Sequence, residues 1–265
     1  MNHQNTAVKI ITVVTYIGMV TVNALANILP INGITTGQVS DSYPNLFTPA
    51  GFTFSIWGLI YLLLAGYTLY QLGLFRGPKD ADSKDMLRKT GILFSLSSIA
   101  NTAWIFAWHY RMIPLSMVLM AVILVCLIVI RETLGREILT PRERLFIGLP
   151  FSVYFGWITV ATIANATVLL VSLGWDGFGI AEPVWAVIVL IAGMLIGIVT
   201  MIRYRDVAYG LVLIWAYLGI YIKHVSAKGF AGQYPVVMIA AALCILVFAL
   251  TAAYILLNRK KRKAM

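Results

Sequence analysis

The chain has 265 residues, of which 60% are hydrophobic and only 11% are charged, and its formal net charge is +10. Soluble globular proteins contain about 25% charged residues, so this chain lacks the polar side chains that a water-facing surface requires. The composition excludes a soluble enzyme, a disordered chain, a collagen and a coiled coil, and it indicates a protein that crosses a membrane several times.

Continuous apolar runs predict eight transmembrane helices joined by short polar connectors. A helix that spans a bilayer needs about 20 apolar residues, and runs without period-2 alternation favour helices over the strands of an outer-membrane barrel. We therefore predict an all-α polytopic membrane protein. The predicted helices, in chain order, are Val8–Leu29, Ala50–Phe75, Gly91–His109, Pro114–Ile130, Leu145–Ser172, Pro183–Ile202, Val207–Ile222 and Pro235–Leu257.

The distribution of lysine and arginine predicts the orientation of these helices. Seventeen of the 20 basic residues fall on the side of the N-terminus, and the opposite side holds only Arg111, Lys223 and Lys228. Because basic residues stay on the cytoplasmic side, both termini are expected in the cytoplasm and the protein in the cytoplasmic membrane. The basic tail 259–263 directly follows a predicted span, so we expect it to contact anionic lipids and not nucleic acid.

The first predicted helix has an alternative interpretation as a secretory signal. Lys9, the apolar run and the small residues Ala24 and Ala26 resemble a signal with its cleavage site. The length of the run and the two asparagines Asn23 and Asn27, one helical turn apart, favour a helix that is retained.

The titratable residues do not suggest catalysis or ion-coupled transport. All ten acidic residues fall at or beyond the predicted helix ends, whereas ion-coupled transporters usually hold charges inside the membrane. Phosphate-loop, zinc-protease and nucleophile-elbow motifs are absent from the sequence, so we expect neither an enzyme nor a cofactor. Cys126 and Cys244 are interpreted as packing residues, and His109, beside Arg111, is expected to be solvated.

Aromatic and amide side chains recur at helical spacing in three predicted helices. Two interpretations remain open: helix packing through interhelical hydrogen bonds, or a pocket of flat aromatic faces with amides that orient a ligand. The three stripes are Phe54, Trp57 and Tyr61; Asn101, Trp104 and Trp108; and Trp157, Ala161 and Asn165.

Three of these segments resemble the TspO/MBR family of tryptophan-rich sensory or translocator proteins. They are the second-helix run Pro49–Tyr61, the Asn-x-x-Trp element from Asn101 to Trp104, and the fifth-helix run Tyr154–Asn165. The resemblance covers residues 8–172 and implies a TspO-like five-helix bundle that binds tetrapyrroles and other flat hydrophobic ligands. It implies the ligand-binding candidates Trp57, Asn101, Trp104, Trp157, Ala161 and Asn165, with Phe54 and Tyr61 added to them. The family's steroid-recognition pattern has no counterpart after Asn165, so cholesterol binding is not expected.

The resemblance predicts two domains, 1–172 for the five-helix bundle and 173–265 for three additional helices with the basic tail. The polar loop Ile31–Thr48 is expected outside, as a lid over the bundle, and Gly193 and Gly197 form one GxxxG pair. The leading hypothesis is that the protein binds a tetrapyrrole-like molecule for sensing, sequestration or passage. A transporter of a small neutral metabolite and a membrane scaffold subunit remain as alternatives, and a homo-oligomer is compatible with each.

Overall fold

The computed structural model describes residues 3–77 and 84–263, and within these ranges it contains helices and turns with no strand. Eight of the helices are long and apolar enough to cross a membrane, which confirms the prediction of an all-α polytopic membrane protein. The α-helices are α1 His3–Ile28, α2 Thr36–Asp41, α3 Ile56–Leu72, α4 Lys84–His109, α5 Ile113–Gly135, α6 Pro141–Glu143, α7 Leu149–Ser172, α8 Glu182–Tyr204, α9 Val207–Val225 and α10 Pro235–Lys263.

Several helix boundaries differ from the sequence prediction. The second long helix, predicted from Ala50, begins as α-helix only at Ile56, after a 3-10 turn over Gly51–Ser55. The helical stretch that leads into α7 begins earlier than predicted, because Thr140 and Glu143 form a capping box: each backbone N–H donates to the other's side chain. Hydrophobicity alone does not reveal these polar helix ends.

The chain divides into two compact units. The first comprises residues 1–39 and 56–158, and the second comprises residues 40–55 and 159–265. Helix α7 contributes its first part to one unit and its second part to the other. The domain division at residue 172 that the resemblance implied stays a prediction.

In the first unit, α4 packs against α1 and α5, and α1 also contacts α3. The core near the start of α7 is aromatic: Tyr67, Phe94 and Phe151 meet edge to face with ring centroids 4.7–5.7 Å apart. All three side chains are fully buried. Edge-to-face contacts of this kind stabilise a core beyond the area that they bury, and they fix the relative positions of α3, α4 and α7.

In the second unit, α10 packs against α8 and α9, and glycines let α8 approach its neighbours. A Cβ atom at Gly193 would meet the hydroxyl of Tyr217, and one at Gly197 would meet the side chains of Leu213 and Phe248. The GxxxG pair that the sequence singled out is therefore a packing surface inside this unit.

Residues 40–55 pack along α9 in the second unit. Lys223 forms an ion pair with Asp41 at 3.0 Å, and Nε2 of His224 donates to the carbonyl of Leu46 at 2.9 Å. Further along, the indole of Trp215 donates to the carbonyl oxygen of residue 53. This part of the predicted lid is thus fixed by hydrogen bonds to one helix.

His109 is buried, so the expectation that it is solvated is wrong. Its Nε2 lies 3.1 Å from the hydroxyl of Thr36, and its Nδ1 lies 3.0 Å from the carbonyl of Ile31. The neighbouring Trp108 donates its indole N–H to the carbonyl of Thr36. The loop after α1 folds back over the end of α4 and covers the imidazole, which proximity in sequence to Arg111 does not reveal.

Two other sequence predictions concern the cysteines and the basic tail. Cys126 and Cys244 are buried within α5 and α10, which confirms their interpretation as packing residues. The side chains of the basic tail 259–263 and the whole connector 78–83 lie outside the described residues. Contact of the tail with anionic lipids therefore stays a prediction.

Candidate ligand-binding site

An aromatic cluster in the first unit contains three of the residues that the resemblance implied. Trp57 and Tyr61 lie one turn apart on α3, and their rings stack with centroids 5.5 Å apart and 19° between the planes. Trp57 also contacts Tyr154 and Trp157 edge to face, at 6.0 and 6.2 Å. Tyr154 and Trp157 are almost completely buried, whereas Trp57 and Tyr61 are half-buried. The cluster is therefore a partly accessible pair of stacked rings supported by two rigid buried rings.

The hydroxyl of Tyr61 is the polar feature of this cluster. It is buried, and no described residue forms a hydrogen bond with it. The backbone carbonyl of Tyr61, in contrast, accepts a hydrogen bond of 2.9 Å from Tyr16. A buried hydroxyl without a partner costs about 1–3 kcal/mol, so a bound molecule that supplies a donor or an acceptor there would gain that energy.

Asn101 connects the cluster to α1 through a chain of hydrogen bonds. Asn23 donates from Nδ2 to Oδ1 of Asn101 at 2.8 Å, and Asn101 donates from Nδ2 to the hydroxyl of Tyr154 at 3.4 Å. Asn101 is fully buried. Its amide is thus used between helices, as the packing interpretation proposed, and it acts on the cluster by positioning Tyr154.

Trp104 and Trp108 form a second aromatic pair on α4. Their rings stack with centroids 5.4 Å apart and 22° between the planes, and both are buried. Because Trp108 also bonds the carbonyl of Thr36, this pair supports the loop that follows α1.

The remaining candidates, Phe54, Ala161 and Asn165, belong to the second unit. Phe54 lies in the 3-10 turn and is half-buried, and Asn165 is buried on α7, one turn after the half-buried Ala161. The described first unit therefore brings together Trp57, Tyr61, Asn101 and Trp157. The role of all eight residues in ligand binding stays a prediction.

Sequence reasoning missed two members of this arrangement, Tyr154 and Asn23. Tyr154 lies three residues before Trp157, so helical spacing places both on one face of α7 and could have identified it. Asn23 was noted for its position in an apolar helix, but its partner on α4 depends on how α1 and α4 pack. A single sequence does not show which polar side chains form hydrogen bonds between helices.

The arrangement has the chemistry of noncovalent recognition. Indole and phenol rings offer flat apolar faces, and the Tyr61 hydroxyl offers one donor and acceptor. Among the residues that the structure describes, no group of three or more His, Cys, Asp or Glu side chains could hold a metal ion.

Comparison with known families identifies the chain over nearly its whole length. The family described as TSPO-like protein matches residues 9–254. The match includes α8, α9 and most of α10, which the resemblance seen in the sequence did not reach. Comparisons with curated proteins and with solved structures gave no match. The chain is therefore a member of the TSPO-like protein family.

Proposed function

We propose that this membrane protein binds a flat hydrophobic small molecule, such as a tetrapyrrole, on the stacked rings of Trp57 and Tyr61. The single observation that carries the proposal is the aromatic cluster itself, in which two half-buried parallel rings are supported by the buried rings of Tyr154 and Trp157. Sensing, sequestration and passage all require this binding step.

The geometry of the rings favours a planar ligand. Trp57 and Tyr61 are within 19° of parallel, so a planar molecule that stacks on one of these rings lies nearly parallel to the other as well. Aromatic rings prefer offset stacking or edge contact at centroid distances of about 4.5–7 Å. A branched aliphatic ligand would bury less area on the same surface.

The supporting residues keep this surface rigid. Asn101 and Asn23 hold the hydroxyl of Tyr154, and Tyr154 packs against the edge of Trp57. A preorganised ring loses little conformational entropy when a ligand binds. We therefore assign Trp57 and Tyr61 to ligand contact, and Tyr154 and Asn101 to positioning.

We propose binding and not catalysis, because the groups around the stacked rings are indoles, phenols and amides. None of them forms the acid–base or nucleophile–base pair that a reaction would require. We also infer, from the charge asymmetry of the connectors, that the site lies in the cytoplasmic membrane with both termini in the cytoplasm.

A titration with protoporphyrin IX tests the proposal. The purified protein in mild detergent is titrated and the shift of the porphyrin absorbance band is recorded, for the parent protein and for Trp57→Ala. Loss of a buried aromatic contact costs about 1.5–3 kcal/mol. We therefore expect the dissociation constant of Trp57→Ala to be roughly 10- to 100-fold larger than that of the parent protein.

Trp175→Ala is the matched control. Trp175 is a half-buried indole of the second unit that contacts Trp185, so its removal should leave the affinity unchanged. Equal affinities of the parent protein and Trp57→Ala, or saturation only at the level of detergent micelles alone, would refute the proposed site.

A further inference from the structure

Three buried polar side chains of α3 and α4 lie outside the aromatic site, and one polar atom of each has no partner among the residues that the structure describes. They are Tyr67 and Gln71 on α3 and Thr90 on α4, each at most 3% exposed. The Tyr67 hydroxyl, Oε1 of Gln71 and the Thr90 hydroxyl form no hydrogen bond with any described residue. Buried polar atoms are nearly always hydrogen-bonded, so three such atoms in one region need a partner.

Helical spacing places the three side chains on facing surfaces. Tyr67 and Gln71 are four residues apart and share one face of α3. Tyr67 packs against Phe94 of α4, with centroids 5.3 Å apart, and Gln71 donates from Nε2 to the carbonyl of Leu87 at 3.0 Å. Thr90 lies three residues after Leu87 and four before Phe94, so it occupies the same face of α4 between these two contacts.

A glycine lets side chains of neighbouring helices pack closely beside them. A Cβ atom at Gly91 would lie 2.7 Å from Nε2 of Gln71, 2.8 Å from a methyl group of Val8 and 3.2 Å from the hydroxyl of Thr12 on α1. The Thr12 hydroxyl in turn lies 3.4 Å from the hydroxyl of Ser95. Hydroxyl and amide groups from three helices therefore converge at one level of the first unit.

We propose that Tyr67, Gln71 and Thr90 form a binding site for ordered water between α3 and α4. Oε1 of Gln71 can only accept a hydrogen bond, whereas the two hydroxyls can donate and accept. Water donates two hydrogen bonds and accepts two, and a buried water molecule typically makes about three. Its chemistry therefore matches this set of groups better than that of an anion or of an apolar ligand.

The end of α3 next to this site is polar. Arg76 donates from Nε and Nη2 to the carbonyls of Tyr70 and Gln71, both at 3.0 Å. Lys9 approaches the carbonyl of Leu72 at 3.5 Å. Gln71 therefore belongs to a turn whose carbonyls are contacted by two charged side chains. The water site is independent of the aromatic site, because Tyr67 lies six residues, or about 9 Å, along α3 from Tyr61.

The sign of the stability change on Tyr67→Phe tests the proposal. If water bridges the hydroxyl, its removal breaks a hydrogen bond and lowers the melting temperature in detergent. If the hydroxyl is an unpaired buried group, its removal raises the melting temperature or leaves it unchanged. Tyr217→Phe is the matched control, because Tyr217 is equally buried and donates directly to the carbonyl of Leu190 at 2.8 Å. We expect both variants to melt at lower temperature, and a Tyr67→Phe variant that does not would overturn the proposal.

Two further measurements test whether the groups share water. Thr90→Val removes one hydroxyl at nearly constant volume. The double variant of Thr90→Val and Tyr67→Phe should lose less melting temperature than the two single variants lose together. Strict additivity would overturn a shared site. In hydroxyl-radical labelling by X-ray radiolysis, bound water should make Tyr67 react faster than Tyr217 despite equal burial. Equal labelling of the two tyrosines would contradict bound water at Tyr67.

Discussion

Replacement of Asn101 by alanine should destabilise the protein through the chain of hydrogen bonds that joins α1, α4 and α7. The variant removes the acceptor of the 2.8 Å bond from Asn23 and the donor of the 3.4 Å bond to Tyr154. The two partners are affected differently. Nδ2 of Asn23 keeps its bond to the carbonyl of Met19 at 2.8 Å, whereas the buried hydroxyl of Tyr154 loses the partner described above.

The expected magnitude follows from these two losses. A buried hydroxyl left without a partner costs about 1–3 kcal/mol, and an interhelical hydrogen bond in a membrane protein contributes about 0.6 kcal/mol on average. We therefore expect Asn101→Ala to lower the free energy of unfolding by roughly 2–3 kcal/mol, with most of the loss at Tyr154.

Equilibrium unfolding in mixed detergent measures this loss, with Asn27→Ala as control. Asn27 is exposed, and its amide bonds the carbonyl of Asn23 on its own helix, so the control should change the free energy by less than about 0.5 kcal/mol. A double-mutant cycle between Asn101→Ala and Tyr154→Phe should show coupling, because the two variants remove the same bond. A cost for Asn101→Ala no greater than that of the control, together with zero coupling, would refute this reasoning.

Three further predictions concern packing, the loop after α1 and topology. Gly197→Ala should lower the melting temperature, because its Cβ would meet Leu213 and Phe248, whereas Gly58→Ala, which faces open space, should raise it slightly; the opposite order would contradict the packing of α8. His109→Ala should make the loop after α1 more susceptible to limited proteolysis, because it removes the two imidazole bonds to this loop and leaves those of Trp108 and Asn32, and cleavage at the parent's rate would contradict that anchoring role. A cysteine at Lys228 should react with an impermeant maleimide in intact cells and one at Glu137 only after permeabilisation, and the reverse pattern would contradict the predicted orientation.

Helix number and class could be predicted from the sequence because they depend on local composition. Seven of the eight apolar runs reach the length that a bilayer requires whatever they pack against, and the run 207–222 falls just short of it. The ends were less predictable, because α3 begins after a 3-10 turn that only the fold reveals, and because the capping box at Thr140 extends the helical stretch before α7. Polar residues decide the second of these ends, and hydropathy does not register them.

The candidate site was predictable in part. Helical spacing alone places Trp57 and Tyr61 on one face, and the structure stacks them. The same rule could not show that Asn101 bonds Asn23 and Tyr154, since the choice among several buried polar groups depends on how the helices pack. The burial of His109 was missed for a related reason, because a loop distant in sequence covers it.

Native mass spectrometry of the protein after incubation with protoporphyrin IX tests the central claim most directly. Released gently from detergent, the parent protein should carry one porphyrin, and Trp175→Ala should carry it equally well. Trp57→Ala should lose most of it at the same concentration, because the stacked surface of Trp57 and Tyr61 is gone. A parent protein that carries no porphyrin, or a Trp57→Ala variant that carries as much as the parent, would contradict the account.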